Sequence, residues 1–113
     1  MSNPSAPSVS GGLNLGERFR RLALEWKEQS RYLSNTAQMA MLKPYQRIIG
    51  MGESAVPLIL EELQREPDQW FWALEAITEE NPVPPEAAGR VEPMSQAWLE
   101  WGKRPRLVRY PGS

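Results

Sequence analysis

The sequence predicts an all-α fold, a small orthogonal bundle of about four to six helices, on three observations. Apolar side chains recur three and four residues apart in several segments, which places them on one face of an α-helix. Proline and glycine stand at the borders of those segments, where they start and stop helices. The chain has 113 residues, 41% of them hydrophobic, which is enough for one packed domain and too few for two.

The first predicted helix spans about residues 15–32. Its apolar positions are four, three and four residues apart and form one stripe: Leu15, Phe19, Leu22 and Trp26. Ser34, Asn35 and Thr36 then supply turn or N-cap chemistry. Most of residues 37–42 are apolar, and we expect a short second helix there rather than an irregular connection.

Two closely connected helices are predicted in the centre of the chain. The first covers residues 44–49, because its proline suits a first helical turn and Gly50 suits the left-handed position just past a helix end. The second covers about residues 53–65, with Pro57 tolerated in its first turn. The break between them is so short that the two helices must pack against each other.

The last two predicted helices lie on either side of a proline-rich connector at residues 81–85. The helix before the connector covers residues 69–78, and Asp68 is placed to cap it. The helix after it covers about residues 92–101, and Gly102 is placed to stop it. Both carry large aromatic side chains on the faces expected to turn inward.

Both ends of the chain are predicted to lie outside the domain. Residues 1–12 are rich in Ser, Pro and Gly and read as a disordered tail, residues 13–102 form the helical domain, and residues 103–113 form a flexible basic tail. The first segment has neither the basic nor the apolar stretch of a targeting peptide. No apolar run approaches the roughly 18 residues of a membrane span. With no Cys for disulfides, we expect a cytoplasmic protein.

Two central segments resemble a HEAT-like helical repeat covering about residues 44–79. Residues 52–63 read GESAVPLILEEL and residues 70–77 read WFWALEAI, which is similar to the family's Gly-x-x-Ala-x-Pro-x-Leu helix followed by an Ala-Leu-x-Ala-Ile helix. The resemblance implies a helical hairpin at the centre of the bundle, with Ala55, Ala73 and Ala76 allowing close approach. Only one copy is visible, so the terminal helices would take the place of neighbouring repeats.

The order of the motifs YQRIIGMG, WFWALEAIT and AWLEWG is also similar to that of small uncharacterised bacterial proteins. This resemblance covers about residues 17–103 and implies a prokaryotic or phage context. It implies no activity and assigns no functional residue. HEAT-like units are scaffolds that present surfaces to partners, so that resemblance favours binding over chemistry.

Composition removes most familiar active sites. The chain has no His and no Cys, which excludes the usual general base, thiolate nucleophiles and zinc sites built on sulfur or imidazole. The acidic pairs at residues 61–62 and 79–80 are adjacent on helices and point about 100° apart, as solvated surface charges do. We therefore expect no enzymatic activity, no cofactor and no metal.

Surplus aromatic side chains are the candidates for binding a protein partner. Trp70, Phe71 and Trp72 are consecutive and span about 200° of a helix, so at least one ring must face away from a simple hairpin. Trp98 and Trp101 share one face of the last helix. We expect the terminal helices to cover most of these rings. Any ring that stays exposed is a candidate contact for a partner protein.

The basic C-terminal segment suggests an alternative function. Four cations and an aromatic ring that could stack on a base lie close together there: Lys103, Arg104, Arg106, Arg109 and Tyr110. Residues 18–21 of the first helix contain three more arginines. However, 13 basic and 14 acidic side chains give a net charge of -1, so no global field attracts nucleic acid.

The function favoured by the sequence is a non-enzymatic protein-interaction module, of the kind that serves as the binding or neutralising member of a two-gene system. Its expected partner is another protein, and no membrane is involved. The alternative is a nucleic-acid-binding accessory protein that uses the basic tail and the Arg-rich first helix.

Overall fold

The helices form where the apolar stripes predict them, and the computed structural model describes residues 11–104 of the chain. All regular structure in that range is helical, which confirms the all-α class. Six α-helices follow one another: α1 (Gly11–Ser30), α2 (Thr36–Met41), α3 (Lys43–Gly50), α4 (Val56–Arg65), α5 (Phe71–Thr78) and α6 (Val91–Lys103). Short 3-10 turns lie before α4 at Gly52–Ala55 and before α6 at Pro85–Ala87.

Helices α1 and α2 follow the sequence closely. Helix α1 begins inside the segment predicted as a tail, because Gly11 and Gly12 continue it backwards, and it ends two residues before the predicted Tyr32. Its predicted stripe is buried at Phe19, Leu22 and Trp26. The short helix predicted after it is present, and Asn35 caps it by accepting a hydrogen bond from the Gln38 amide at 3.1 Å.

The left-handed glycine that follows α3 lies two residues later than predicted. Gly50 is the last residue of the helix, and the left-handed backbone conformation belongs to Gly52, with φ of 72°. The chain then makes a 3-10 turn before α4, so the predicted continuous helix from Glu53 is wrong in its first turn. The physical reason is that the tight connection needs an extra turn to bring α4 back onto the core.

Helix α6 is longer than predicted and runs through Gly102 to Lys103. The prediction that Gly102 stops the helix is wrong, because this glycine serves close packing instead. A β-carbon at position 102 would lie only 2.7 Å from Cδ1 of Leu60 on α4. The absence of a side chain therefore lets α6 approach α4 closely.

Four aromatic rings form the centre of the core, where α1, α3 and the start of α5 meet. Trp26 lies 4.5 Å from Trp70 and 5.2 Å from Tyr45, measured between ring centroids, and Phe19 lies 5.8 Å from Trp70. Tyr45 and Trp70 are stacked, with ring planes 7° apart. The indole Nε1 of Trp26 also donates to the Met39 carbonyl at 2.9 Å, which holds α2 against this cluster.

Helices α3 and α4 pack chiefly on different neighbours, so the prediction that these two central helices pack against each other is wrong, because the 3-10 turn at Gly52–Ala55 stands between them. Helix α3 packs on α1 and on α5, while α4 packs chiefly on α6 and less extensively on α5. Ala55 and Ala73 are buried, as the resemblance to a HEAT-like hairpin implies, but Ala76 is exposed. The expectation for Ala76 is wrong because it shares the outward face of α5 with Trp72, four residues earlier. Membership of the HEAT-like family stays a prediction.

Candidate partner-binding groove

Most of the aromatic candidates are core residues. Trp70 and Trp98 are 0% exposed, and Phe71 and Trp101 are also buried. They were predicted as possible partner contacts, but their rings already pack against other helices. Trp72 alone among the five is exposed, at 51%. The surplus ring that the sequence predicts on α5 is therefore Trp72.

Trp98 and Trp101 anchor α6 to the rest of the domain. Their rings make an edge-to-face contact with centroids 5.0 Å apart. The Nε1 of Trp101 donates to Oε1 of Glu80 at 2.8 Å, which ties α6 to the segment just after α5. The side of α6 that carries the two indoles is thus fixed to the core, and its other residues are left to face α4 and solvent.

Only part of the predicted nucleic-acid segment can be placed. Lys103 and Arg104 are exposed at the end of α6, and Lys103 Nζ lies 3.7 Å from Oε2 of Glu100. Arg106, Arg109 and Tyr110 lie outside the described residues. Arg18, Arg20 and Arg21 are exposed on α1, as the sequence predicts for a solvated face.

A groove between α4 and α6, hereafter the α4–α6 groove, is a concave surface that the sequence did not predict. It has a volume of about 480 Å³. Apolar side chains from both helices and the segment after α4 line it: Pro57, Leu60, Leu63, Pro67 and Leu99. Polar and charged side chains share the lining with them: Glu61, Gln64, Glu92, Ser95, Gln96 and Lys103. A concave surface that combines apolar and polar groups is a candidate binding site.

The polar groups of the α4–α6 groove are unevenly charged. Glu61 on α4 and Glu92 on α6 line it and are exposed, and neither forms an ion pair with another described residue. Lys103 also lines it, but its ammonium group faces the Glu100 carboxylate. The walls therefore present two unbalanced negative charges, one from each helix.

Ser95 and Gly102 shape the α6 side of the groove. At Gly102 the helix approaches α4 closely, near the end of the Leu60 side chain. Ser95 is 1% exposed, and its Oγ has no hydrogen-bond partner among the described residues.

A second groove lies on the other side of α4, towards α1, with a volume of about 570 Å³. Glu61 lines this groove as well, and Arg20 lines it without an ion pair to a described residue, whereas its one buried carboxylate is satisfied within the domain. Glu62 accepts hydrogen bonds from Lys27 at 3.0 Å and from Arg65 at 2.7 Å, and Lys27 also donates to Glu66 at 2.6 Å. This ion-pair network joins α1 to α4.

The network shifts the pKa values of its members in opposite directions. Burial acts to raise the pKa of the Glu62 carboxyl, but hydrogen bonds from Arg65 and Lys27 outweigh it and hold that pKa below its usual range. Burial likewise acts to lower the pKa of Lys27, and its bonds to Glu66 and Glu62 raise it overall. Both groups are therefore charged at neutral pH and act as a structural link.

The described residues hold no cluster of three or more acidic side chains that could bind a metal ion. None of the described helices combines the length and the apolar character needed to cross a membrane. No known protein family, no curated protein and no solved structure matches the chain. The site must therefore be interpreted from its own geometry.

Proposed function

We propose that this chain is a non-enzymatic protein-interaction domain that binds its partner through the α4–α6 groove. The observation that carries the proposal is an open groove of mixed apolar and polar lining, each of whose two walls bears an acid without an ion pair to a described residue. Such a surface stabilises a complex by burying apolar area and by pairing its charged rim. Trp72, half-exposed on α5, is a further residue available to a large partner.

The proposal is tested by site-specific photo-crosslinking in the native host. A photoreactive amino acid at Gln96, an exposed position that lines the groove, is expected to capture a discrete partner protein. The matched control is the same amino acid at Glu25, an exposed position on α1. Both substitutions replace surface side chains, so neither should disturb the fold.

Three outcomes are informative. A protein captured at position 96 and absent at position 25 supports the proposal. Capture of the same set of proteins at both positions, or of none at position 96, contradicts it. Capture of nucleic acid at position 25 would favour the alternative function, since Arg18 and Arg21 are exposed on the same helix.

A further inference from the structure

We infer that the occupant of the α4–α6 groove is a basic amphipathic helix of the partner protein. This inference rests on the proposed function and adds the chemistry of the bound segment. It follows from the charge, the size and the helical walls of the groove.

The acidic side chains of the groove determine the sign of the charge that its occupant carries. Glu61 and Glu92 stand on opposite walls without an ion pair to any described residue, and the cation at Lys103 is offset by Glu100. A segment with Lys or Arg at its edges pairs with both walls, whereas an acidic segment meets like charge on each side. Complementarity therefore selects a cationic partner.

Size and shape determine the form of the occupant. The groove holds about 480 Å³, and its walls are helices of 10 and 13 residues. Those helices are about 15 and 20 Å long, which matches about three turns of a third helix. The volume accommodates about three apolar side chains, as a helix presents at positions i, i+3 or i+4, and i+7.

The lining supplies the matching apolar contacts. Pro57 and Leu60 on α4 and Leu99 on α6 form the wall against which such side chains would pack, while Leu63 lies beneath it and is 0% exposed. Gln64 and Gln96 lie among them and are exposed, so they can hydrogen-bond to the polar flanks of a bound helix. An apolar stripe with basic flanks satisfies all of these groups at once.

The inference is tested with synthetic peptides and the full chain. Three 14-residue peptides share one stripe of Leu at i, i+3, i+4 and i+7 and differ only in the remaining positions, which are Lys, Gln or Glu. Binding is measured by isothermal titration calorimetry at low salt and at physiological salt. We expect the Leu/Lys peptide to bind at least about tenfold more tightly than the Leu/Glu peptide.

Substitutions at Gln96 place the interaction in the groove. Because Gln96 lines the groove and is exposed, Gln96→Arg should weaken binding of the Leu/Lys peptide about fivefold, and Gln96→Glu should tighten it by a similar factor. Gln29→Arg is the matched control, since it makes the same change of charge at an exposed position on α1. It should leave the affinity within about twofold.

Each contrary result has a distinct meaning. Equal loss of affinity in Gln96→Arg and Gln29→Arg would show general charge attraction and overturn the assigned site. Equal affinity for the Lys, Gln and Glu peptides would overturn the basic occupant, while crosslinking at position 96 would still support the proposed function. If Arg106→Gln with Arg109→Gln tightens binding of the uncharged Leu/Gln peptide, the chain's own C-terminal segment competes for the groove, and a separate partner is not its resident occupant.

Discussion

Tyr45 shows how one side chain can specify the start of a distant helix. Its Oη donates to the Gln69 carbonyl and accepts from the Ala73 amide, both at 2.9 Å. Ala73 is the third residue of α5, so its amide is one that an N-cap side chain normally satisfies. Burial raises the pKa of the Tyr45 hydroxyl, which therefore stays protonated and keeps both hydrogen bonds.

The sequence pointed to a different residue at this position. Asp68 is a common N-cap type, yet its Oδ1 accepts from the amide of Gln69, and α5 begins only at Phe71. The predicted cap is therefore wrong. Tyr45, which takes the place of an N-cap for the Ala73 amide, lies 28 residues before Ala73 in the chain. No local sequence pattern can reveal such a contact. What the sequence did predict at this scale is the inward stripe, since Trp70, Ala73 and Leu74 are all buried.

Replacing Tyr45 by Phe should destabilise the domain by about 1–3 kcal/mol, because it removes both hydrogen bonds and leaves the Ala73 amide without its partner. Chemical denaturation followed by circular dichroism measures the effect. Tyr32→Phe is the control, since Tyr32 is 88% exposed and should change stability by less than about 0.5 kcal/mol. Equal effects in the two variants would contradict the assigned role of Tyr45.

At the scale of the helix, the sequence located a helix end correctly where residues close to that end in the chain determine it. Asn35 caps α2 and Pro44 lies in the first turn of α3, as predicted. The glycine predictions were wrong at Gly50, where Gly52 has the left-handed backbone conformation instead, and at Gly102. Gly102 lies where α6 approaches α4, a contact between residues more than 40 positions apart that no local pattern reveals.

The link between α1 and α4 has a predictable pH dependence. The pKa of Glu62 is lowered by folding, so its contribution is present above the usual value of 4.5 and is lost as the pH falls below it. The pKa of Lys27 is raised, so its contribution is present below the usual 10.5 and is lost as the pH rises through the folded value. Between these limits the link is intact.

Glu62→Gln should therefore lower the free energy of unfolding at pH 7 by about 1–3 kcal/mol, because it weakens hydrogen bonds to two cations. The deficit relative to the native chain should shrink as the pH falls below 4.5, where Glu62 becomes protonated in both states. Urea titrations from pH 3 to 7 follow this difference. Glu28→Gln is the control, because the Glu28–Arg31 pair is exposed on one helix. A deficit that does not depend on pH would rule out the ion-pair explanation.

For the molecule as a whole, the sequence could predict an aromatic core but not the binding groove. Helical spacing places Phe19 and Trp26 on one inward stripe of α1, and in the structure their rings meet those of Tyr45 and Trp70. The α4–α6 groove depends on how two helices separated by a long connector settle against each other. Its lining residues do recur at helical spacing, at 57, 60, 61 and 64 on α4 and at 92, 95, 96, 99 and 103 on α6. Those stripes mix apolar, polar and charged side chains, so they give no hydrophobic signal in the sequence.

The burial of the aromatic residues predicts the reactivity of the chain's five Trp residues. Trp72 is half-exposed and the other four are buried, so one Trp should react rapidly with N-bromosuccinimide and the rest only on unfolding. Trp72→Phe should abolish the rapid phase without changing the fold, because its ring lies on the outward face of α5. Rapid reaction of two or more residues in the native chain would contradict this core.

The close approach at Gly102 offers a genetic means of separating binding from folding. Any side chain there must displace the end of Leu60, and Leu60 lines the groove. Alanine stabilises a helix by about 1 kcal/mol relative to glycine. This gain in helix stability can offset the free energy needed to displace the Leu60 side chain. A Gly102→Ala allele would then yield a folded protein at normal abundance with a narrowed groove, and its phenotype would report the loss of the partner rather than the loss of the protein.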